Sequence, residues 1–257
     1  MQQVRAKKNL GQHFLKDERA AKQIVDSLTG RGYKKVLEIG PGMGVLTSHL
    51  FERHEFDVTL IEIDKESIGF LQKKFPDKFS KILEGDFLRL DLDKLFDQPF
   101  AIVGNFPYNI SSQILFRVLE HKDKIPEVVG MFQKEVAVRI ASGPGNRDYG
   151  IPSVLMQAFY DVELLFTLEE HDFSPPPKVK SAVLRCIRKD TGTLGCDEKA
   201  FTNVVKTAFN QRRKTLRNAL SSLIASSSNK DIPYLDKRAE ALGWQNFVEL
   251  TNAIKNI

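Results

Sequence analysis

From Val36 onward, short apolar runs alternate with segments of helical spacing. Val36-Leu37-Glu38-Ile39, Val58-Thr59-Leu60-Ile61, Ile82-Leu83, Ala101-Ile102-Val103 and Val128-Val129-Gly130-Met131-Phe132 each read as a buried strand. Residues 46–53 and 65–75, between the early runs, have helical patterns. Alternation of this kind predicts βαβ units and a mostly parallel sheet covered on both faces. Two later runs, 162–168 and 182–187, follow each other without a clear helix and predict an antiparallel edge hairpin.

The pattern changes near Gly195. Phe201, Val204, Val205, Ala208 and Phe209 recur at helical spacing, Leu216, Leu220 and Leu223 continue the stripe, and Asp197 suits an N-cap. A second helical segment is expected over 236–242, stopped by Gly243, and a third from about Gln245. The expected organisation is an α/β domain over 1–190, a linker at Thr191-Gly192-Thr193-Leu194-Gly195, and a small all-helical domain over 196–257. Ser226-Ser227-Ser228 is the one low-complexity stretch.

Composition narrows the class. The 257 residues are 42% hydrophobic, enough for a full α/β core. No apolar run reaches the ~18–20 residues of a membrane span. No apolar segment follows Arg5, Lys7 and Lys8, so a secretory signal is not expected. Cys186 and Cys196 form no CxxC pair, which fits a reducing cytoplasm, and the five histidines lack metal-ligand spacing. A cytoplasmic, metal-free monomer is expected. The net charge of +5 is unevenly placed: residues 1–35 carry +6, 36–195 carry −5 and 196–257 carry +4. Basic ends around an acidic middle suit a polyanionic partner.

The candidate chemistry lies at the ends of the predicted strands. Glu38-Ile39-Gly40-Pro41-Gly42-Met43-Gly44 is a glycine-rich turn between a strand and a helix, where backbone can approach a ligand closely. Glu62 lies 22 positions after Gly40 and closes the second strand, where a carboxylate can accept from a ribose diol. Asp64 beside it suits a helix cap. Gly85-Asp86 ends the third strand, and its carboxylate can accept from an adenine amine. Asn105-Phe106-Pro107-Tyr108 ends the fourth. An exocyclic adenine amine is a poor nucleophile because its lone pair is delocalised into the ring. An Asn oxygen and a neighbouring backbone carbonyl can accept its two N–H groups and favour a pyramidal nitrogen. Pro107 fixes φ, and Tyr108 offers a flat face for the base. Phe173 precedes Pro175-Pro176-Pro177, which hold a loop extended. On a continuous helix, Arg213, Lys214 and Arg217 would share one face and could grip phosphates.

Together these motifs resemble a class I (Rossmann-like) S-adenosylmethionine-dependent methyltransferase. More closely, the chain resembles the rRNA adenine N6,N6-dimethyltransferases that modify small-subunit rRNA. The resemblance extends through Lys7-Lys8-Asn9-Leu10-Gly11-Gln12-His13-Phe14-Leu15, residues 133–139, Tyr149-Gly150-Ile151-Pro152-Ser153-Val154, Phe173-Ser174-Pro175-Pro176-Pro177-Lys178-Val179 and residues 209–216. It departs from many relatives at His13, where they have Asn, and at Phe106, where they have Leu or Ile.

The resemblance implies a seven-stranded, mostly parallel sheet and S-adenosyl-L-methionine as cofactor. His13, Leu15, Gly40, Glu62, Asp86 and Asn105 would contact that cofactor. Asn105, Pro107, Tyr108 and Phe173 would act at the target adenine, with Tyr108 and Phe173 sandwiching it. Arg212, Arg213, Lys214 and Arg217 would hold rRNA, in a pre-assembled small subunit. A large-subunit rRNA methyltransferase of the macrolide-resistance type shares the catalytic motifs. A non-catalytic factor on the same fold is a third reading, against which the intact Asn105–Tyr108 motif argues.

Overall fold

The five early apolar runs form strands because they are short and rich in β-branched residues, and the first four are closed by Gly or Glu. A computed structural model describes residues 4–190, 192–225, 227, 229 and 231–254. Thr191 of the expected linker, and Ser226 and Ser228 of the serine stretch, lie outside the described residues.

The strands are β1 (Phe14–Leu15), β2 (Lys35–Ile39), β3 (Asp57–Glu62), β4 (Ile82–Glu84), β5 (Phe100–Asn105), β6 (Glu127–Gln133), β7 (Tyr160–Leu168), β8 (Phe173–Ser174) and β9 (Ser181–Arg188). Seven form one sheet in the order β4-β3-β2-β5-β6-β9-β7. Strands β4, β3, β2, β5 and β6 are mutually parallel, and β9 runs antiparallel to β6. The two late runs are thus neighbours at one side of the sheet, with β9 inserted next to β6. The helices are α1 (Glu18–Asp26), α2 (Val45–Glu52), α3 (Lys65–Lys74), α4 (Leu92–Leu95), α5 (Ser111–Glu120), α6 (Lys134–Ala141), α7 (Ile151–Phe159), α8 (Glu198–Asn210), α9 (Leu216–Ala219), α10 (Ser221–Ala225) and α11 (Trp244–Ala253).

The sheet order reverses between β2 and β5: from β2 the chain goes outward to β3 and β4, then returns to the other side of β2 as β5. Loops leaving the carboxyl ends of β2 and β5 therefore diverge and leave a crevice, the usual ligand position in an open α/β sheet. Val36, Leu60, Ala101, Val103, Val129 and Met131 are buried beneath it and join Ile24, Leu50 and Leu71 from α1, α2 and α3 in one core.

Contacts divide the chain into two units, Met1–Ala137 with Glu163–Arg188, and Val138–Val162 with Lys189–Ile257. The last boundary falls between Arg188 and Lys189, ahead of the expected linker at 191–195. Residues 138–162, placed in the first domain by the sequence reading, group with the C-terminal helices. Tyr149, Phe209 and Phe247 pack ring against ring there, at centroid separations of 6.0 and 5.9 Å. Asp197 caps α8 as expected, accepting from the Ala200 N–H at 2.7 Å.

The expected continuous basic helix face is not formed. Helix α8 ends at Asn210, residues 211–214 turn, and α9 begins at Leu216, so Arg213 and Lys214 lie in a turn. Backbone pairing explains the break. The Leu216 and Arg217 N–H groups donate to the Lys237 and Leu235 carbonyls at 2.7 and 2.9 Å, and Thr215 bridges Arg238. The same bonds spend the carbonyls that a helix over 236–242 would need, and only a 3-10 turn forms, at Ala239–Ala241.

Candidate active site

A cleft of about 170 Å³ opens at the carboxyl ends of β2, β3 and β5. Gly40, Gly42, Glu62, Asp86, Asn105, Pro107 and Tyr108 line it, and Leu10, Gly11, Gln12, His13 and Phe14 of the N-terminal segment complete it. The strand-end residues singled out from the sequence thus converge, although up to 68 positions separate them in the chain (Gly40 to Tyr108).

The glycine turn enters α2 through three left-handed residues, Gly40, Gly42 and Gly44, at φ +64°, +56° and +73°. A Cβ on Gly42 would lie 2.8 Å from the Phe14 ring, so the N-terminal segment and the turn fit only without a side chain there. Lys74 of α3 holds the turn from the far side, its Nζ donating to the carbonyls of Met43 and Gly44 at 3.2 and 3.0 Å.

Three buried carboxylates surround this turn. Glu62 closes β3, with one oxygen accepting from the Ile63 and Asp64 N–H groups, both at 2.9 Å, and the other from the Gly42 N–H at 3.1 Å. Burial nonetheless holds its carboxyl above the ordinary glutamate range, with those backbone donors pulling the other way. Asp64 caps α3 through the Glu66 N–H, as its position in the sequence suggested. It also receives the Lys7 ammonium, Gln12 Nε2 at 3.3 Å and Ser67 Oγ at 3.1 Å. Burial raises its carboxyl, but these donors outweigh burial and leave it below the usual aspartate range. Glu38, 1% exposed, accepts from Thr47 Oγ1 at 2.7 Å, and burial pushes its carboxyl up to about 8. The Lys7 and Gln12 contacts tie the N-terminal segment to the end of β3. By sequence, Lys7 and Gln12 belong to the Lys7–Leu15 motif, but neither is assigned a role there.

Asn105 donates Nδ2 to the His13 carbonyl at 2.7 Å, its one side-chain hydrogen bond among the described residues, which leaves Oδ1 as the acceptor. The His13 ring stacks on Tyr108 at 5.5 Å and 27°, and its Nδ1 meets the Pro175 carbonyl at 2.8 Å. Tyr108 shares a hydrogen bond with Ser181 Oγ, and burial raises its hydroxyl above the ordinary range. Asp86 accepts from the Leu88 N–H at 3.0 Å and stays partly exposed on the cleft wall.

Leu15 and Phe173 are not on this cleft wall, although Leu15 shares an adjoining hollow with Gly40, Gly42 and Asn105. They pair across β1 and β8 and belong to the hydrophobic core, with Phe173 1% exposed. The ring that stacks on Tyr108 is His13 instead.

The model of the family described as "Ribosomal RNA adenine dimethylase" matches residues 3–239. The chain belongs to the ribosomal RNA adenine dimethylase family. The ribosomal RNA small subunit methyltransferase A of Cytophaga hutchinsonii is 56% identical over 255 residues, covering 99% of both chains. Its namesake from Flavobacterium johnsoniae is 54% identical, covering 99% of this chain and 98% of the relative. Among solved structures, a dimethyladenosine transferase from Plasmodium falciparum superimposes with TM-score 0.78 at 25% identity, covering 93% of this chain and 96% of that one. The 23S rRNA methyltransferase ErmE superimposes at 0.73 with 23% identity, covering 95% and 100%, a likeness of fold. The seven-stranded class I methyltransferase fold and the enzyme class expected from the sequence hold for this member of the adenine dimethylase family.

Glu38 yields a pH test of the electrostatics beneath the glycine turn. Its carboxyl titrates higher in the folded chain than in the unfolded one, so its contribution to stability is complete in acid. That contribution drains away as pH rises from the ordinary glutamate range to about 8. Glu38→Gln should therefore flatten the decline in thermal midpoint across this interval. Parallel curves for the two proteins would contradict the buried, proton-holding carboxyl.

Proposed function

We infer that this enzyme transfers methyl groups from S-adenosyl-L-methionine to the N6 amines of adjacent adenosines in small-subunit rRNA, giving N6,N6-dimethyladenosine. The observation that carries the reading is the orientation of Asn105. Its amide nitrogen is committed to the His13 carbonyl, so its oxygen is the group presented to an incoming amine. The pairing of this side chain with Pro107 and Tyr108 fits an amino-adenine better than a ring nitrogen or a hydroxyl.

The cleft residues fit the proposed cofactor. Glu62 retains lone pairs for a ribose diol beyond its three backbone partners, Asp86 can accept from an adenine amine, and Gly40 and Gly42 keep the approach to the turn free of Cβ atoms. His13 contributes its carbonyl and ring to the same wall. When bound, S-adenosyl-L-methionine supplies an electrophilic methyl group on a sulfonium. Asn105 Oδ1 accepts one N–H of the target amine. Pro107's carbonyl already accepts from the Ile110 N–H at 3.1 Å, and we take the Phe106 carbonyl as the second acceptor. Tyr108 supplies the face on which the base stacks and, with a raised hydroxyl pKa, stays neutral. Rate then derives from alignment and from polarising the amine.

For rRNA, the C-terminal region supplies cations. Arg212 is braced internally, its Nε on Glu240 at 3.1 Å and a terminal nitrogen on the Arg147 carbonyl at 2.7 Å. Arg213, Lys214 and Arg217 are exposed. The Thr215–Arg238 bridge brings exposed Lys237 and Arg238 alongside, two cations that the sequence periodicity did not associate with the others. Lys237 has the Asp236 carboxylate at 3.5 Å. The other four exposed cations, Arg213, Lys214, Arg217 and Arg238, suit phosphate better than a solvated face, because like charges gathered on one surface favour an anionic partner. The substrate we favour is the small subunit, since relatives above 50% identity carry that name across nearly their whole length, whereas the large-subunit enzyme ErmE shares the fold.

Labelled methyl transfer to unmethylated small subunits, naked small-subunit rRNA and large subunits tests the substrate. Incorporation into small subunits as N6,N6-dimethyladenosine by mass spectrometry is expected, and labelling of large subunits alone would overturn the assignment. Glu62→Ala should weaken cofactor binding in calorimetry by about 1.5–3 kcal/mol, through loss of charge-assisted ribose bonds. It also orphans three backbone N–H groups, so the titration is run below its lowered thermal midpoint. Replacing Arg213, Lys214 and Arg217 together by Gln should reduce the log K against log[salt] slope by roughly 0.7–0.9 per lost phosphate contact. An unaltered slope would return these residues to a solvated surface.

A further inference from the structure

We propose that Gly130 and Phe106 form a matched pair, in which the Phe106 ring, seated in a glycine notch of the sheet, is a positioning residue for the Asn105–Tyr108 tetrapeptide. The proposal rests on the role inferred above for Asn105.

Gly104 and Gly130 face each other in the register of β5 and β6. The Phe106 ring lies against both. A Cβ built on Gly104 would sit 3.0 Å from the ring, and one on Gly130 only 2.1 Å from it. The two glycines have different reasons to be glycine. Gly104 would also strike the Ile39 carbonyl at 2.6 Å, so neighbouring backbone forbids a side chain there whatever occupies position 106. For Gly130 the three nearest atoms all belong to the Phe106 ring. Its φ is not in the left-handed region either, since it is absent from the positive-φ glycines of the described chain. A glycine inside a strand weakens it and packs nothing, which marks a place where something must come close. Here that something is the ring of Phe106.

The ring fixes the tetrapeptide because it is held on every side. It is 1% exposed, and its edge meets the Phe132 ring at 5.2 Å and 77°. The Phe106 N–H donates to the Met131 carbonyl at 3.3 Å, extending the β5–β6 pairing one residue past Asn105. Side chains alternate along extended backbone, so sinking residue 106 into the notch turns residue 105 to the other side. That is where Asn105 reaches the His13 carbonyl. Displacing the ring would therefore rotate or lift Asn105 and move the Phe106 carbonyl, the two proposed acceptors of the amine, while Glu62, Asp86 and the glycine turn stay in place.

The test measures kcat, KM for each substrate, cofactor affinity by calorimetry and thermal midpoint in five variants of the full chain. Phe106→Ala removes the ring without a clash. It should lower kcat on the order of 100-fold, as misplacement of about an ångström does, with cofactor affinity within a few-fold of the parent. Gly130→Ala should do the same by pushing the ring out, and Gly130→Ala with Phe106→Leu should recover kcat to the level of Phe106→Leu alone. If Gly130→Ala fails to fold, the double variant read against Phe106→Leu carries the same comparison. Unchanged kcat in Phe106→Ala, assayed well below its thermal midpoint, would reduce the ring to packing and overturn the proposal. A double variant slower than Phe106→Leu would overturn the pairing. Asn105→Ala in the same assay separates the two readings. Its inactivity beside a fully active Phe106→Ala refutes only the positioning role, whereas an active Asn105→Ala refutes the site assignment on which that role rests.

Discussion

The hydrogen bond from Asn105 Nδ2 to the His13 carbonyl joins the end of β5 to a segment 92 positions earlier and decides which end of the amide faces the cleft. An amide at a strand end can present a donor or an acceptor. The fixed carbonyl opposite takes the donor and leaves the acceptor. That carbonyl is itself held by neighbouring contacts. The His13 ring meets Tyr108 and the Pro175 carbonyl, Phe14 pairs with Ser174 in the short β1–β8 ladder, and Lys7 and Gln12 converge on Asp64. The acceptor character of the candidate active site is thus a property of the N-terminal segment as much as of the tetrapeptide.

Three carboxylates crowd the same turn, and each meets the cost of burial differently. Asp64 has a cation and several neutral donors, so its ionised form is favoured despite desolvation. Glu62 has backbone N–H groups alone, which offset burial only in part. Glu38 has one hydroxyl partner in the hydrogen-bond pattern and holds its proton up to about pH 8. Like charges so close together cannot all be ionised cheaply. The neighbouring Glu62 adds to the upward shift on Glu38, so proton retention on Glu38 spares Glu62 one like charge.

The parallel strands and the site they frame were legible because both follow from local rules. Apolar runs closed by Gly, Glu, Asp and Asn mark strands whose carboxyl ends carry polar groups, and topology brings those ends together. What sequence periodicity could not convey was backbone pairing at long range. The apolar stripe from Phe201 to Leu223 is compatible with one long helical region, but the carbonyls of Leu235 and Lys237 capture N–H groups at 216 and 217 and break it. The same capture cancels the helix over 236–242 and gathers Lys237 and Arg238 beside Arg213, Lys214 and Arg217. Phe173 was misplaced for a related reason: a Phe before prolines reads equally as a loop ring or a core anchor. Its pairing with Leu15 across 158 positions puts it in the core.

A reaction that relies on alignment more than on proton transfer places its demands on backbone geometry. Tyr108 is kept neutral by burial, and Asn105 has no titrating group. Neither can compensate for misplacement by changing protonation state. The constraints accordingly accumulate on the main chain of 104–108. Gly104 passes under the Ile39 carbonyl, the Phe106 N–H extends the ladder to Met131, Pro107 fixes φ, and the Pro107 carbonyl is fastened to Ile110. Gly130 belongs to this set although it lies on another strand, and its identity has meaning only through the ring that fills the space it leaves. Read singly, it is an unremarkable strand glycine that costs stability. Read with Phe106, it leaves the space in which that ring seats.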